Sequence, residues 1–238
     1  STARKITEAE LHPAMETFAD WGLELVLGKN LFAEYHQFAG TDGQRLADLQ
    51  QMLDDPDIKA IICARGGYGT ARIIDDLDFT VYNLRPKWVV GFSDVTVLHS
   101  HIHTHFGIET LHAIMPLTFP GTPEAMESLR KALFGEPISY ELEPHPFNRE
   151  GSCSGQLVGG NLSILYSINN TPSDIDTTGK ILFIEDLDEY LYHIDRMMTN
   201  FELSETASYM DHYVAALFLP HTDLNQFPKL KARLALAK

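Results

Sequence analysis

The stretch that decides the fold is KWVVGFSDVT at 87–96, where an apolar run ends in a glycine and leads directly into a serine. The nearly continuous apolar residues at 87–92 predict a strand that is covered on both faces, as strands of parallel sheets are. The residues at 93–106 predict a helix. The serine therefore stands at a sharp turn from a buried strand to a helix.

Ser93 follows Gly91 by two residues, and this placement is typical of a nucleophile elbow, which exposes a serine hydroxyl above a sheet. The usual pattern is G-x-S-x-G, and Val95 replaces its final glycine. Helix capping by Ser93 or Asp94 is the competing interpretation of the same turn.

The chain on either side of this turn alternates between helix and strand. Apolar spacing predicts helices over 7–21, 43–54 and 69–77 and strands over 23–27 and 59–64. This alternation predicts an α/β fold whose N-terminal part is a doubly wound, mostly parallel sheet with flanking helices.

The second half differs in composition, because five prolines fall between positions 118 and 149. We predict a nucleophile-bearing α/β domain at 1–117, a linker region at 118–150 containing a helix at 123–134, and a smaller β-rich C-terminal domain at 151–238. Within that last domain we expect a glycine-rich segment, strands over 180–184 and 213–219, and a helix over 190–201.

Composition excludes several classes of protein. Of the 238 residues, 44% are hydrophobic and 21% charged, which is typical of a globular protein and excludes disorder as the main state. The net charge of −15 argues against a protein that coats nucleic acid or an anionic membrane. No transmembrane run or leader peptide is visible. Cys63 and Cys153 lie far apart, so we expect no disulfide and a cytoplasmic location.

A second turn, RGGYG at 65–69, follows the strand predicted at 59–64. Its glycines permit backbone conformations that bring N–H groups close to an anion or an oxyanion. A phosphate-binding loop is the alternative, although the segment lacks the P-loop lysine and the spacing of a dinucleotide fingerprint.

A nucleophilic serine needs a base, and the base needs an acid that orients it. Glu185 and Asp186 follow the strand at 180–184, and His221 follows the strand at 213–219. Helix capping by the acids and a turn role for the histidine are the competing interpretations.

Four histidines alternate along the helix predicted at 93–106, namely His99, His101, His103 and His105. A spacing of two scatters them around a helix axis, and neither pair at i,i+4 has a cysteine or carboxylates beside it. We therefore expect no metal site.

Six motifs occur in an order that resembles the LD-carboxypeptidase family, the serine peptidases that include the microcin-immunity proteins. They are RGGYG at 65–69, GFSDVT at 91–96, HAIMP at 112–116, GQLVGGNL at 155–162, ILFIED at 181–186 and IDRMM at 194–198. The resemblance covers most of the chain, from about residue 4 to residue 225. The chain departs from the family in Pro220, which stands where the family has glycine, and in a shorter connection between 201 and 213.

The resemblance implies a catalytic triad of Ser93, Glu185 and His221, with backbone N–H groups of Gly67 and Asp94 as the oxyanion donors. It implies removal of a terminal D-amino acid, D-Ala, from small murein peptides during peptidoglycan recycling, by a cytoplasmic homodimer without metal or cofactor. A carboxypeptidase also binds a free carboxylate, and Arg65 is our candidate for that role.

Three alternatives stay open. A microcin-immunity-type amidase would share the triad but act on an acyl-nucleotide, and would need an aromatic residue to stack on the purine. A catalytically inactive relative would bind murein peptides without cleaving them. A nucleotide-binding doubly wound protein ranks last among the alternatives, because the sequence lacks the dinucleotide-binding fingerprint.

Overall fold

The computed structural model describes residues 1–141, 152–187, 189–203 and, as backbone, 213–218. The chain divides into two compact units, Ser1–Ser139 and Tyr140–Lys238. The domain boundaries at 117 and 151 stay a prediction.

The sheet of the first unit contains three parallel strands, β1 (Ala60–Ile62), β2 (Trp88–Gly91) and β3 (Leu111–His112), in the order β1-β2-β3. The central strand β2 carries Val89 and Val90, which are fully buried. This confirms the parallel sheet that the apolar runs predict.

Five helices accompany this sheet in the first unit: α1 (Glu8–Asp20), α2 (Asp42–Asp54), α3 (Thr80–Leu84), α4 (Thr96–Phe106) and α5 (Pro123–Leu133). The first two begin in capping boxes. In each, a threonine side chain accepts a hydrogen bond from the N–H of the third helical residue, whose own side chain accepts one from the N–H of the threonine. These helices confirm the predictions for 7–21, 43–54 and 123–134.

An aromatic group joins the helices to the sheet. Phe18 of α1 lies edge-on to Trp21 and to Phe119, with ring centroids 5.6 and 5.2 Å away. Leu129 of α5 and Val90 of β2 belong to the same buried cluster. Helix α5, from the segment predicted as a linker region, therefore packs in the core of the first unit.

The predicted strand over 23–27 is wrong, because no strand of the described residues pairs with this segment. Leu25, Val26 and Leu27 are exposed by 37%, 51% and 40%, and the segment lines a cavity of about 750 Å³ together with β1. Apolar residues in extended chain become a strand only when a neighbouring strand accepts and donates their backbone hydrogen bonds.

The predicted helix over 69–77 is also wrong. Two short 3₁₀ turns, Thr70–Arg72 and Ile74–Asp76, replace it, because Ile73 between them has φ −122° and ψ −7°, outside the α-helical region.

The second unit has its own parallel sheet, β4 (Leu157–Asn161), β5 (Ile181–Glu185) and β6 (Tyr213–Phe218), with β5 in the centre. Helices α6 (Leu162–Ile168) and α7 (Leu191–Leu203) pack on it through Leu165, Ile194 and Phe201. The predicted strands over 180–184 and 213–219 and the helix over 190–201 are confirmed. In its described part, this unit has helices α6 and α7 beside the three-stranded parallel sheet.

The cysteines and the helix lengths bear on two further predictions. Cys63 is buried and Cys153 is exposed, and both are free thiols. Within the described residues, none of the helices has the length and apolar character needed to cross a membrane.

Candidate active site

Ser93 lies at the carboxyl end of the central strand β2, where ligands bind in doubly wound sheets. Its backbone is left-handed, with φ of 60°, and a 3₁₀ turn at Ser93–Val95 leads into α4. A residue with a side chain in this conformation costs about 1–3 kcal/mol, which the surrounding structure must offset. The strained turn and half-buried side chain are the features of a nucleophile elbow.

Gly91 allows this turn to form. A Cβ built on Gly91 would lie 2.8 Å from Val95 Cγ2, so the valine methyls occupy the space of a side chain at position 91. Val95 is itself fully buried. Gly91 thus makes room for Val95, which stands where the G-x-S-x-G pattern has its final glycine.

The Gly91 carbonyl is held from two directions. It accepts from Ala113 N–H at 3.0 Å and from His99 Nε2 at 2.9 Å, so His99 carries its hydrogen on Nε2. Burial lowers the pKa of His99 to about 4, and burial together with the nearby His99 lowers the pKa of His112 to about 3. Both rings are therefore neutral at pH 7, and His99 supports the turn.

The glycine turn at 65–69 lies directly beside Ser93. A Cβ built on Gly66 would lie 3.4 Å from Ser93 Cβ and 3.1 Å from Met115 Cε. Gly67, the predicted oxyanion donor, is exposed and has φ of 119°. Gly66, the neighbour of Gly67, therefore lies next to Ser93, and the roles of Gly67 and Asp94 as oxyanion donors stay a prediction.

Asp94 links the two turns through its side chain. The carboxylate Oδ2 accepts from Thr70 N–H at 2.9 Å and from Thr70 Oγ1 at 2.6 Å. Because the Thr70 hydroxyl donates to the carboxylate, the Thr2 hydroxyl donates to Thr70 Oγ1, at 2.9 Å. Burial raises the pKa of the Asp94 carboxyl, and the hydrogen bonds from Thr70 and Gly69 oppose that rise.

Two arginines flank the glycine turn. Arg65 Nη1 donates to Lys5 O at 3.0 Å and lies 3.9 Å from Glu10 Oε1. Arg4, which the sequence reasoning missed, is exposed, and its Cγ and Cδ lie where a Cβ on Gly67 would be. Only the approach of distant chain segments brings Arg4 to this turn.

In the second unit, Glu185 ends the central strand β5, and both Glu185 and Asp186 are buried. Asp186 accepts from the Ser163 N–H at 2.9 Å and from Asn161 Nδ2 at 3.1 Å. Asn161 ends β4, pairs with Glu185 across the sheet, and caps α6 by accepting from Ile164 N–H. Sequence reasoning missed this role of Asn161 because capping depends on where β4 ends.

Burial, and to a lesser extent the neighbouring Asp186, raise the pKa of Glu185 to about 7, against the lowering effect of a hydrogen bond from Asn161. Burial also raises the pKa of Asp186, against the hydrogen bonds from Leu187 and Ser163. Two adjacent buried carboxyls with raised pKa values are typical of functional sites.

The other predicted site residues are placed as follows. His221 lies outside the described residues. His101 and His105 contact each other, with ring centroids 4.3 Å apart. In the part of the chain that the structure describes, no group of three His, Cys, Asp or Glu side chains is placed to hold a metal ion.

Two family models match the chain: the LD-carboxypeptidase N-terminal domain over residues 1–113 and the LD-carboxypeptidase C-terminal domain over residues 154–225. The chain belongs to the LD-carboxypeptidase family. The motifs quoted for this family at 65–69 and 91–96 are the two turns that meet at Ser93 in the first unit.

The chain is similar to proteins named as carboxypeptidases and, at 24% identity over 77% of this chain and 63% of that protein, to the microcin C7 self-immunity protein MccF of Escherichia coli. The chain is 42% identical to a probable murein peptide carboxypeptidase of Bacillus subtilis (strain 168) over 200 residues, which cover 82% of this chain and 63% of that protein. The chain thus spans just under two thirds of the length of the curated relatives it matches.

Two solved structures share the fold. A muramoyltetrapeptide carboxypeptidase from Oxalobacter formigenes aligns with a TM-score of 0.80 at 24% identity, over 98% of this chain and 81% of that one. MccF in complex with glutamyl sulfamoyl guanosine aligns with a TM-score of 0.79 at 20% identity, over 98% and 82%. Both likenesses concern the α/β fold alone.

The contact between positions 91 and 95 predicts a specific stability effect. Gly91→Ala should lower the free energy of unfolding by about 1–3 kcal/mol, because the new methyl overlaps Val95. In the Val95→Ala background the same change should cost less, since the overlapping methyls are gone. Both tryptophans, Trp21 and Trp88, lie in the first unit, so urea unfolding followed by tryptophan fluorescence measures the effect.

Gly43→Ala is the matched control for this cycle. Gly43 lies in α2 with open space around its Cα, so alanine there should raise the free energy of unfolding by up to about 1 kcal/mol. Equal costs of Gly91→Ala in both backgrounds would contradict the assigned contact.

The raised pKa of Glu185 predicts that its charge destabilises the folded chain. Because its folded pKa of about 7 lies above the ordinary 4.5, the free energy of unfolding should fall as pH rises from about 4.5 and level off above 7. Glu185→Gln should remove this fall and exceed the wild type by about 1–3 kcal/mol at pH 8. Urea unfolding followed by circular dichroism between pH 4.5 and 8 measures the difference.

The control is Glu109→Gln, which changes an exposed glutamate of the first unit. This variant should follow the wild type at every pH. A Glu185→Gln variant that is less stable than the wild type at pH 8 would show that the ionised carboxylate is stabilised in the fold.

Proposed function

We propose that this chain is the catalytic part of a serine LD-carboxypeptidase that removes the terminal D-Ala from a murein tetrapeptide. The observation that carries the proposal is the left-handed Ser93 at the end of the central strand, directly beside a glycine turn. The names of the relatives support the substrate class, since one is a murein peptide carboxypeptidase.

Ser93 is the proposed nucleophile. Its Oγ attacks the carbonyl carbon of the L,D peptide bond, and His221 accepts the hydroxyl proton. The oxyanion accepts hydrogen bonds from the N–H groups of Gly67 and Asp94, the type of interaction that is worth about 3–4 kcal/mol per donor. His221 then protonates the amine of the leaving D-Ala, and a water molecule hydrolyses the acyl-enzyme.

Glu185 is the proposed acid that orients His221 and stabilises its charged form. The register of the second sheet supports this pairing, because Glu185 lies level with Phe218 at the end of β6. His221 follows Phe218 by three residues, a length of chain that spans at most about 10 Å. A raised pKa for Glu185 also predicts that activity falls as pH drops below about 7.

A second candidate function is cleavage of an acyl-nucleotide, as in the microcin-immunity branch. Tyr190 and Tyr192, which follow Glu185 in the second unit, are exposed by 69% and 56% and stack with ring centroids 5.8 Å apart. Exposed aromatic rings of this kind suit a purine base. The homodimer and the cytoplasmic location stay predictions.

The decisive test is release of D-Ala from L-Ala-D-Glu-meso-diaminopimelate-D-Ala, followed by mass spectrometry. The wild type should release D-Ala, and Ser93→Ala should reduce the rate by at least about 10³-fold. Ser167→Ala, an exposed serine of α6, should match the wild type.

Each other outcome selects a different function. Release that survives Ser93→Ala would exclude Ser93 as the nucleophile. Peptide binding without release would favour an inactive binding relative. Cleavage of an aminoacyl sulfamoyl nucleotide, without release from the tetrapeptide, would favour the second candidate.

Arg65 is the proposed ligand of the substrate's terminal carboxylate. Arg65→Ala should raise KM for the tetrapeptide about 10-fold or more, because a hydrogen bond to a charged group is lost, with a smaller effect on kcat. Arg4→Ala is the matched control at the same turn. On a peptide with an amidated C-terminus, Arg65→Ala and the wild type should show the same KM. If only Arg4→Ala raises the KM for the tetrapeptide, Arg4 rather than Arg65 binds the carboxylate.

A further inference from the structure

The two proposed oxyanion donors come from different turns, and the fold must hold those turns together. Gly67 belongs to the turn after β1 and Asp94 to the turn after β2. The glycine turn has φ of 119° at Gly67 and 153° at Gly69, which are conformations that any added side chain would strain. Flexible backbone of this kind needs bonds from elsewhere to keep one geometry.

Asp94 supplies such bonds through a side chain that is 1% exposed. Its carboxylate accepts from the N–H and the hydroxyl of Thr70, a residue that is fully buried. Hydrogen bonds to a buried carboxyl are strong because little water competes for them. Asp94, whose N–H is a proposed oxyanion donor at the Ser93 turn, therefore also hydrogen-bonds the end of the glycine turn.

The peptide group between Gly69 and Thr70 is held at both ends. Its N–H donates to Asp94, and its C=O accepts from Arg45 Nη1 at 3.0 Å. Arg45 is 1% exposed and also donates to Thr2 O and to Asp42, so it is itself fixed. These bonds anchor the end of the glycine turn two residues after Gly67.

We propose that the Asp94 carboxylate is a positioning residue for catalysis, which fixes the glycine turn through Thr70 so that the N–H groups of Gly67 and Asp94 point at one oxyanion. This inference rests on the proposed function, because it assigns how the same site is organised. Asp94 thus acts twice, through its N–H on the substrate and through its side chain on the donor that faces it.

The test compares two buried threonines that share one hydrogen bond. Thr2→Val removes the bond between the Thr2 and Thr70 hydroxyls and the hydrogen bond of the Thr2 side chain to Cys63. Thr70→Val removes that bond and also the bond from the hydroxyl to Asp94. Because Thr2→Val loses the additional bond to Cys63, a larger loss of activity in Thr70→Val than in Thr2→Val is due to the contact with Asp94.

The expected result is a loss of kcat that is specific to position 70. Thr70→Val should lower kcat on the tetrapeptide by about 10- to 100-fold, with KM within about twofold, because a displaced oxyanion donor acts only in the transition state. Thr2→Val should stay within about twofold of the wild type, and Thr70→Ser, which restores the hydroxyl, should recover most of the rate.

A second readout separates this inference from the choice of substrate. A fluorophosphonate reacts when Ser93 Oγ forms a bond to phosphorus, the P–F bond breaks, fluoride leaves and the hydroxyl proton passes to the base. Its phosphoryl oxygen occupies the oxyanion position, so the labelling rate of Thr70→Val should fall about 10-fold or more relative to Thr2→Val. Asp94→Ala, which removes the acceptor of both bonds from Thr70, should be slowed at least as much, and replaces Thr70→Val if that variant does not fold.

Equal labelling rates for Thr70→Val and Thr2→Val would overturn the positioning role, as would an effect on KM alone. Normal labelling of Ser93 without release of D-Ala would refute the proposed function, while the ratio of labelling rates still decides the positioning role. No labelling of the wild type at Ser93 would overturn both.

Discussion

The constraint on which the first unit depends is the left-handed backbone of Ser93 at the end of a fully buried strand. Strand β2 is paired with β1 and β3 on its two edges, and the chain turns sharply where β2 ends. Gly91 leaves room for Val95, and His99 and Ala113 hold the Gly91 carbonyl, so that the strained turn keeps one geometry. The neighbouring glycine turn is joined to this turn by the hydrogen bond from the Thr70 hydroxyl to the Asp94 carboxyl.

In the second unit, too, polar side chains stand at the end of the central strand, but they are carboxyls. Its central strand β5 ends in two adjacent carboxyls, of which Asp186 is fixed by Ser163 and Asn161. Burial beside a fixed carboxylate raises the pKa of Glu185 to about 7, near the pH at which a histidine partner titrates. In each unit, the proposed catalytic side chain stands at the end of the central parallel strand, and residues that follow the neighbouring strand bond to the carboxyl next to it.

Sequence patterns predicted the elements that depend on local apolar spacing and missed those that depend on distant contacts. Helices α1 and α2 were predicted from the helical spacing of their apolar residues, and strand β2 from its apolar run. The strand at 23–27 was wrong because strand formation needs a hydrogen-bonded neighbour, which no local pattern reports. Strand β4 was missed because glycines at positions 159 and 160 hide it. Ser93, Gly67 and Asp94 were predicted as one site from motifs, whereas the bonds from Asp94 to Thr70 and from Arg45 to Gly69 join segments far apart in the chain.

The most direct test of this account is a crystal structure of the chain after reaction with a fluorophosphonate. The account predicts a phosphonate bonded to Ser93 Oγ, with its phosphoryl oxygen about 2.7–3.1 Å from both the Gly67 nitrogen and the Asp94 nitrogen. An adduct on another residue, or a phosphoryl oxygen bonded to neither nitrogen, would contradict the claim that these two turns form the oxyanion site.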